Sequence, residues 1–323
     1  MSIPRTTAWG VGLAASTALI SGVSIFVNGL IVKEFADPVA LTGARNALVG
    51  LVLVAALAAG GGTTGVRALD RRRGAGLLAV AIIGGSVPFI LFFSGLAEAT
   101  GPGAAFIHKT LFIWVAALAA VVLGERLGLA QLLALGALFA GVALVGPSGL
   151  PGFGTAELLI LTATILWSVE VIIVRRLLTV EGVSVRLAAT ARMALGALVI
   201  VGFLAVTGRI GAIASFSAWQ WVLVAGTGLL LLGYVTSWYA ALQRAPASLV
   251  TSVLVLGAVV TAALAAARTG TLPAPSVEVG LVMMAVAVVG LVWVSLRVER
   301  RSAGLVRAAT GDAASRSGAE VIG

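Results

Sequence analysis

Residues 101–127 read GPGAAFIHKTLFIWVAALAAVVLGERL. About 20 apolar residues in a helix cross a bilayer, and this stretch is long enough. It also carries the only histidine of the chain, His108, beside Lys109, one of two lysines. A charge inside an apolar span costs roughly 2.5–3.5 kcal/mol on insertion scales. A chain that keeps one there needs a partner for it, a cavity or a function.

The remainder of the chain has the same solvent in mind. Of its 323 residues, 60% are hydrophobic and 10% charged, with a mean hydropathy of +1.14. Soluble domains carry about 25% charge, so this composition specifies an all-α integral membrane protein. The net charge of +9 is read as loop arginines that set membrane orientation, with no nucleic-acid partner. There is no cysteine, so disulfides and thiolate chemistry are excluded. The N-terminal apolar run continues to Val32, past the roughly 7–15 residues of a signal-peptide core. It is expected to remain as the first span.

Ten spans are expected, near residues 8–31, 39–60, 75–96, 102–123, 128–146, 156–177, 186–207, 217–240, 246–267 and 277–296. The weakest division is Gly-Glu-Arg-Leu-Gly at 124–128. With the N-terminus in the cytoplasm, the inner segments hold Arg67, Arg71–Arg73, Arg126, Arg175, Arg176, Arg186 and Arg244, and the outer loops only Lys33, Arg209 and Arg268. An even span count returns the C-terminus to the cytoplasm. The end, 298–323, is rich in Ala, Gly, Ser and charge and reads as a disordered tail.

The chain repeats in order. AlaArgAsnAlaLeu at 44–48 is answered by AlaArgMetAlaLeu at 191–195, and Pro102 by Pro246, at offsets of 147 and 144. This divides the chain into five-span repeats at 1–147 and 148–297. Five is odd, so the repeats are inverted in the membrane, the design of secondary transporters.

These residues carry a family resemblance: Arg45 and Arg192 near the starts of spans two and seven, Trp167 in span six, and GlyGluArgLeu at 124–127 followed by Gln131 and Gly141. The ordered set resembles the EamA-type transporters of the drug/metabolite transporter superfamily, over residues 8–296. The resemblance implies export or exchange of small metabolites or drugs through a central cavity, by alternating access. It also implies a cell membrane, such as a bacterial inner membrane. One departure stands out. The second repeat has ArgThrGlyThr at 268–271 where GlyGluArgLeu should recur, so Glu125 acts alone or is structural.

The candidate residues follow from polarity at depth. Lys109 would attract an anionic cargo group and His108 would supply a proton site; the alternatives are snorkelling and an interhelical hydrogen bond. Glu170 in span six and Arg192 in span seven are placed to pair across one hairpin, either as a structural pair or as a proton-coupled carboxylate. Val23 stands opposite Glu170 in the repeat, so Arg45 needs another partner. Thr17, Ser21, Ser24 and Asn28 share a face of span one and line either a packing seam or a cavity. Tyr234 and Trp238 share a face of span eight, and Tyr234, Trp167 and Trp114 lie deeper than interfacial anchors. Gly84, Gly85 and Pro88 would let span three flex, or would serve close packing.

A small-molecule substrate, the bilayer and protons are the expected partners, with no cofactor. Enzymatic function is disfavoured: GxSxG, HExxH and the phosphate-binding GxxxxGK[ST] are all missing. A lipid-carrier flippase or a receptor on the same fold is the competing reading.

Overall fold

A computed structural model describes residues 5–61, 63–67, 69–96, 98, 101–146 and 154–320. The expected boundary at 147/148 lies outside them. The described chain is helical, with no strand. Hydrocarbon offers no partner to a free N–H or C=O, and helices satisfy these groups internally. In chain order the helical spans are α1 Thr6–Glu34, α2 Pro38–Ala59, α3 Arg71–Leu96, α4 Gly103–Leu123, α5 Leu129–Val145, α6 Thr155–Thr179, α7 Val185–Val206, α8 Ala218–Arg244, α9 Ala247–Thr269 and α10 Pro275–Glu299. Among the described residues, all but α5 are long and apolar enough to cross a membrane. With 17 residues, α5 is shorter.

The element ends repeat more faithfully than the sequence does. Asp37 caps the start of α2, accepting from the Val39 and Ala40 amides. Ser184, 147 residues on, caps the start of α7 by accepting from Leu187. Gly61 and Gly208, after α2 and α7, both take positive φ, as do Gly124 and Gly270 after α4 and α9. Glycine adopts that conformation without steric cost. The Gly124 turn makes the 124–128 division a real break.

Both α4 and α9 are broken at corresponding points. The first is Gly101–Lys109, a turn at Thr110, then Leu111–Leu118. The second is Ala247–Leu254, a turn at 255–256, then Gly257–Thr269. His108 and Lys109 stand immediately before the α4 break.

Two seams join a helix to its own counterpart in the other repeat. A Cβ on Gly50 of α2 would lie 2.7 Å from Ala194 Cα of α7. A Cβ on Gly141 of α5 would lie 2.8 Å from Met284 Cγ and 2.9 Å from the Gly280 carbonyl of α10. Without a hydrophobic drive between helices in lipid, such close backbone approach carries the packing. Gly141→Leu should therefore cost about 1–3 kcal/mol as overpacking, read as a lower midpoint in a detergent unfolding titration. Gly136→Ala on the same helix meets nothing within 4 Å and should leave the midpoint unchanged or raise it slightly.

Contacts sort the helix ends into two faces. On one, Thr7 donates to Glu299 at 2.8 Å, so the starts of α1 and the end of α10 share a side. Glu181 there pairs with Arg72 and Arg176. On the other, Arg209 reaches Asp37 and Gln220 donates to the Glu34 carbonyl at 2.6 Å. We call these the arginine-rich and arginine-poor faces. The last helix differs from expectation: it runs without interruption from Pro275 to Glu320, where composition predicts disorder. Its Ala, Arg, Leu and Glu residues are strong helix formers.

Candidate functional site

The site grows from a break in α3. Its two helices, Arg71–Ile83 and Val87–Leu96, are separated by Gly84–Ser86. Such a break frees backbone carbonyls inside the bilayer, and each unsatisfied one would cost several kcal/mol. Side chains from other helices take them up. Trp167 Nε1 of α6 donates to the Gly84 carbonyl at 3.1 Å. Asn46 Nδ2 of α2 donates to the Gly85 carbonyl at 3.4 Å. Ser86 turns its own hydroxyl back to Ala81 and Ile82.

The missing side chains of the glycines let charged neighbours close in. A Cβ on Gly84 would fall 2.3 Å from Glu170 Cγ, and one on Gly85 would fall 2.2 Å from the Arg192 carbonyl. Of the two roles open to these glycines, the structure displays close packing. Arg192 sits in a wide π-helical turn, Ala191–Leu195, a local feature common at functional sites.

Glu170 and Arg192 are both buried, and Arg192 Nη1 lies 3.7 Å from Glu170 Oε1. That is an ion-pair distance, too long for a hydrogen bond. The hydrogen bond to Glu170 comes from the Tyr239 hydroxyl of α8. The Arg192 guanidinium carbon stands 5.7 Å from the centre of the Tyr239 ring. Arg192 Nε is buried without a hydrogen-bond partner. Three helices of the second repeat thus converge on one carboxylate, beside the α3 break of the first.

Towards the arginine-poor face lies an aromatic wall. His108 meets Trp167 at 5.0 Å and Phe92 at 5.3 Å between ring centres, and Phe89 abuts Trp167 at 5.2 Å. The rings meet edge to face, the favoured arrangement of aromatic quadrupoles. His108 Nδ1 is buried there with no partner. Tyr234 stacks on Trp238, 6.1 Å apart and 14° from parallel.

The polar stripe of α1 divides. Thr17 is bonded to Ser237 of α8 at 2.8 Å, a packing contact. Ser21 is half-buried beside Gly257, at the break in α9. Asn28 donates to Ser24 and accepts from Arg45 Nη1 at 3.1 Å. Asn28 is therefore the partner that Arg45 lacked on paper, although Arg45 Nε stays buried and unpartnered.

Other candidates lie elsewhere. Lys109 points into a crevice between α4 and α5 with Ala105, Phe106, Val142, Val145 and Gly146, away from the rings around His108. Trp114 is exposed on the outside of the bundle and donates to Thr110, so it lines no inner wall. Glu125 accepts from the Ala247 and Ser248 amides and from the Ser248 hydroxyl, at 2.7, 3.2 and 2.6 Å. It caps α9 across the repeat boundary.

Sequence reasoning passed over Asn46 and gave Tyr239 no role. The available signals were separate: Asn46 follows Arg45 where the other repeat has Met193 after Arg192, and Tyr239 is one of only two tyrosines.

A model of the EamA-like transporter family matches the chain twice, over residues 8–146 and 154–293. No curated protein sequence matches it. Among solved structures, one titled "Crystal structure of protein" superposes with a TM-score of 0.71 at 18% identity, covering 92% of this chain and 100% of its own. That likeness is one of fold. The two family matches take in nearly every element described, and on them the chain belongs to the EamA-like transporters, as a multi-pass membrane protein of the drug/metabolite transporter superfamily.

Proposed function

We propose that the protein is a secondary transporter of small organic metabolites, such as amino acids or drug-like compounds, working by alternating access between two inverted five-helix repeats. Ten crossings follow if α5 counts as a span. Its Gln131 bonds Ser295 of α10 at 3.1 Å, and its Gly141 meets Gly280. It therefore runs beside α10 through the same depth. Both termini then lie on the arginine-rich face, which the positive-inside rule makes cytoplasmic, in a cell membrane such as that of a bacterium.

The observation that carries the reading is the buried Glu170–Arg192–Tyr239 cluster. An ion pair in hydrocarbon is retained at a cost and marks ion or substrate pathways. The cluster is not needed to build the fold, because Val23 occupies the position of Glu170 in the other repeat. Protonating Glu170 would release Arg192 and loosen α6 from α7 and α8, a two-state element that a proton gradient can bias. Cargo would sit above it, against His108, Trp167, Tyr234 and Ser21, with Arg45 and Asn28 on the approach from the arginine-poor face. His108 Nδ1 offers that cargo a hydrogen-bonding atom.

Proteoliposomes test this. With a loaded metabolite panel, the protein should give saturable exchange and uphill flux under a pH gradient. Glu170→Gln should leave exchange measurable and abolish uphill flux. Uphill flux at the parent rate in that variant would remove Glu170 from coupling, and no flux of any solute would sink the transporter reading.

Alternating access also requires the arginine-poor face to open. There Arg209, in the α7/α8 turn, grips Asp37, in the α1/α2 turn, through two contacts of 2.8 and 2.6 Å. Bidentate pairs of this kind are the strong ones, so Asp37–Arg209 is the natural latch between repeats. Asp37→Ala should raise the labelling rate of a cysteine placed at Ser21 by a reagent added from that face. It should also cost about 1 kcal/mol through the lost α2 cap. Unchanged labelling would leave Asp37 a cap and nothing more.

A further inference from the structure

Lys109 has no ion pair among the described residues. Its crevice, of about 50 Å³, is lined otherwise by Ala105, Phe106, Val142, Val145 and Gly146. The adjacent residue, His108, is turned inward to Trp167. Neighbouring residues on a helix do not share a face, and here His108 turns to α6 and Lys109 to α5.

The crevice belongs to the outside of the bundle. Ala105 is exposed, and on α5 Phe139, whose ring lies 6.3 Å from that of Phe106, is 41% exposed. In a membrane protein that surface faces lipid. In the second repeat the equivalent of Lys109 is Val253, which is 2% exposed and packed in the core. The fold can therefore bury this position, and the first repeat instead holds a cation at the lipid boundary.

Depth is set by α5. It ends at Val145, and Gly146 turns away in extended conformation. Lys109 is level with that end, where the carbonyl pole of α5 favours a cation. The short helix thus brings the polar boundary of the bilayer in to the ammonium. An ammonium on an apolar, lipid-facing crevice is complementary to one kind of neighbour, an anionic headgroup with acyl chains beneath it.

We propose that the α4/α5 crevice is a binding site for an anionic phospholipid, with Lys109 Nζ on the phosphate and Phe106 and Phe139 against the chain. The reading is independent of the cargo.

Native mass spectrometry of the full-length protein, titrated with phosphatidylglycerol or phosphatidylcholine, tests it. Phosphatidylglycerol should be retained about fivefold better, the preference that one basic residue gives near an anionic lipid surface. Lys109→Ala should lose that preference, Lys109→Arg should keep it, and soluble glycerol phosphate should not displace the lipid. Equal retention by the parent and Lys109→Ala overturns the proposal. Displacement by glycerol phosphate would make the site one for a free phosphate and also overturns it. Loss of cargo exchange in Lys109→Ala, equal in liposomes with and without phosphatidylglycerol, would place the ammonium on cargo instead.

Discussion

Glu170→Ala should lower the stability of the detergent-solubilised protein by about 3–5 kcal/mol, the cost of stranding one member of a buried ion pair. Arg192 would keep its charge, with its Nε already unpartnered and the Tyr239 hydroxyl deprived of its acceptor. A denaturing-detergent titration followed by circular dichroism reads the shift. The double variant Glu170→Met with Arg192→Met should be much less affected than either single change, because no lone charge remains. The pair's two buried side chains would be replaced by apolar groups of similar reach, a substitution that is often neutral. If the double variant loses as much as the two singles together, the pair is not energetically coupled, and the case for a switch at Glu170 fails with it.

Much of this architecture is readable in advance because the solvent is severe. Charges are so sparse that the hydropathy profile sets the spans, and glycine or a cap marks the turns between them. Glu170 and Arg192 are readable as neighbours, since a short hairpin joins their helices and each is the one charge well inside its own span. Arg45 is harder. Its partner, Asn28, belongs to a stripe on α1 that serves packing at Thr17 and a hydrogen-bonding role at Asn28, and a helical wheel gives both the same face.

Lys109 marks the limit. Periodicity fixes the angle between His108 and Lys109 but not the rotation of α4 as a whole, because its polar residues, His108, Lys109 and Thr110, are consecutive and mark no single face. Its rotation is decided by tertiary contacts, with His108 against Trp167 and Phe106 against α5. Nor does hydropathy show that α5 stops at Val145, which sets the local depth of the boundary. The terminal helix escaped notice for a different reason. Low hydrophobicity argues against a packed core, yet a helix extending from one already anchored by α5 needs no new nucleus.

Gly85→Ala is expected to be the most damaging single methyl in the chain. Its Cβ would lie 2.2 Å from the Arg192 carbonyl and 2.8 Å from the Ala81 carbonyl. From the other side, Gly196 of α7 would place a Cβ within 2.7–2.8 Å of the Gly85 backbone. Both partners are main chain, so no rotamer can give way and the helices themselves must part. Overpacking of this kind costs about 1–3 kcal/mol or more. Separation of α3 from α7 would also pull Arg192 away from Glu170 and Asn46 from the Gly85 carbonyl. Gly84→Ala meets the Val80 carbonyl of its own helix at 2.7 Å, but its contact with another helix is a side chain, Glu170 Cγ at 2.3 Å, which can swing aside only by leaving Tyr239. It should therefore damage transport coupling more than stability. Gly74→Ala, on the same helix with nothing within 4 Å, should be neutral or gain up to about 1 kcal/mol in helix propensity. The order in unfolding midpoint should then be Gly74→Ala highest, Gly84→Ala next and Gly85→Ala lowest. A Gly85→Ala protein as stable as Gly74→Ala would mean that α3 and α7 are not held together at this break, and that its glycines serve motion rather than contact.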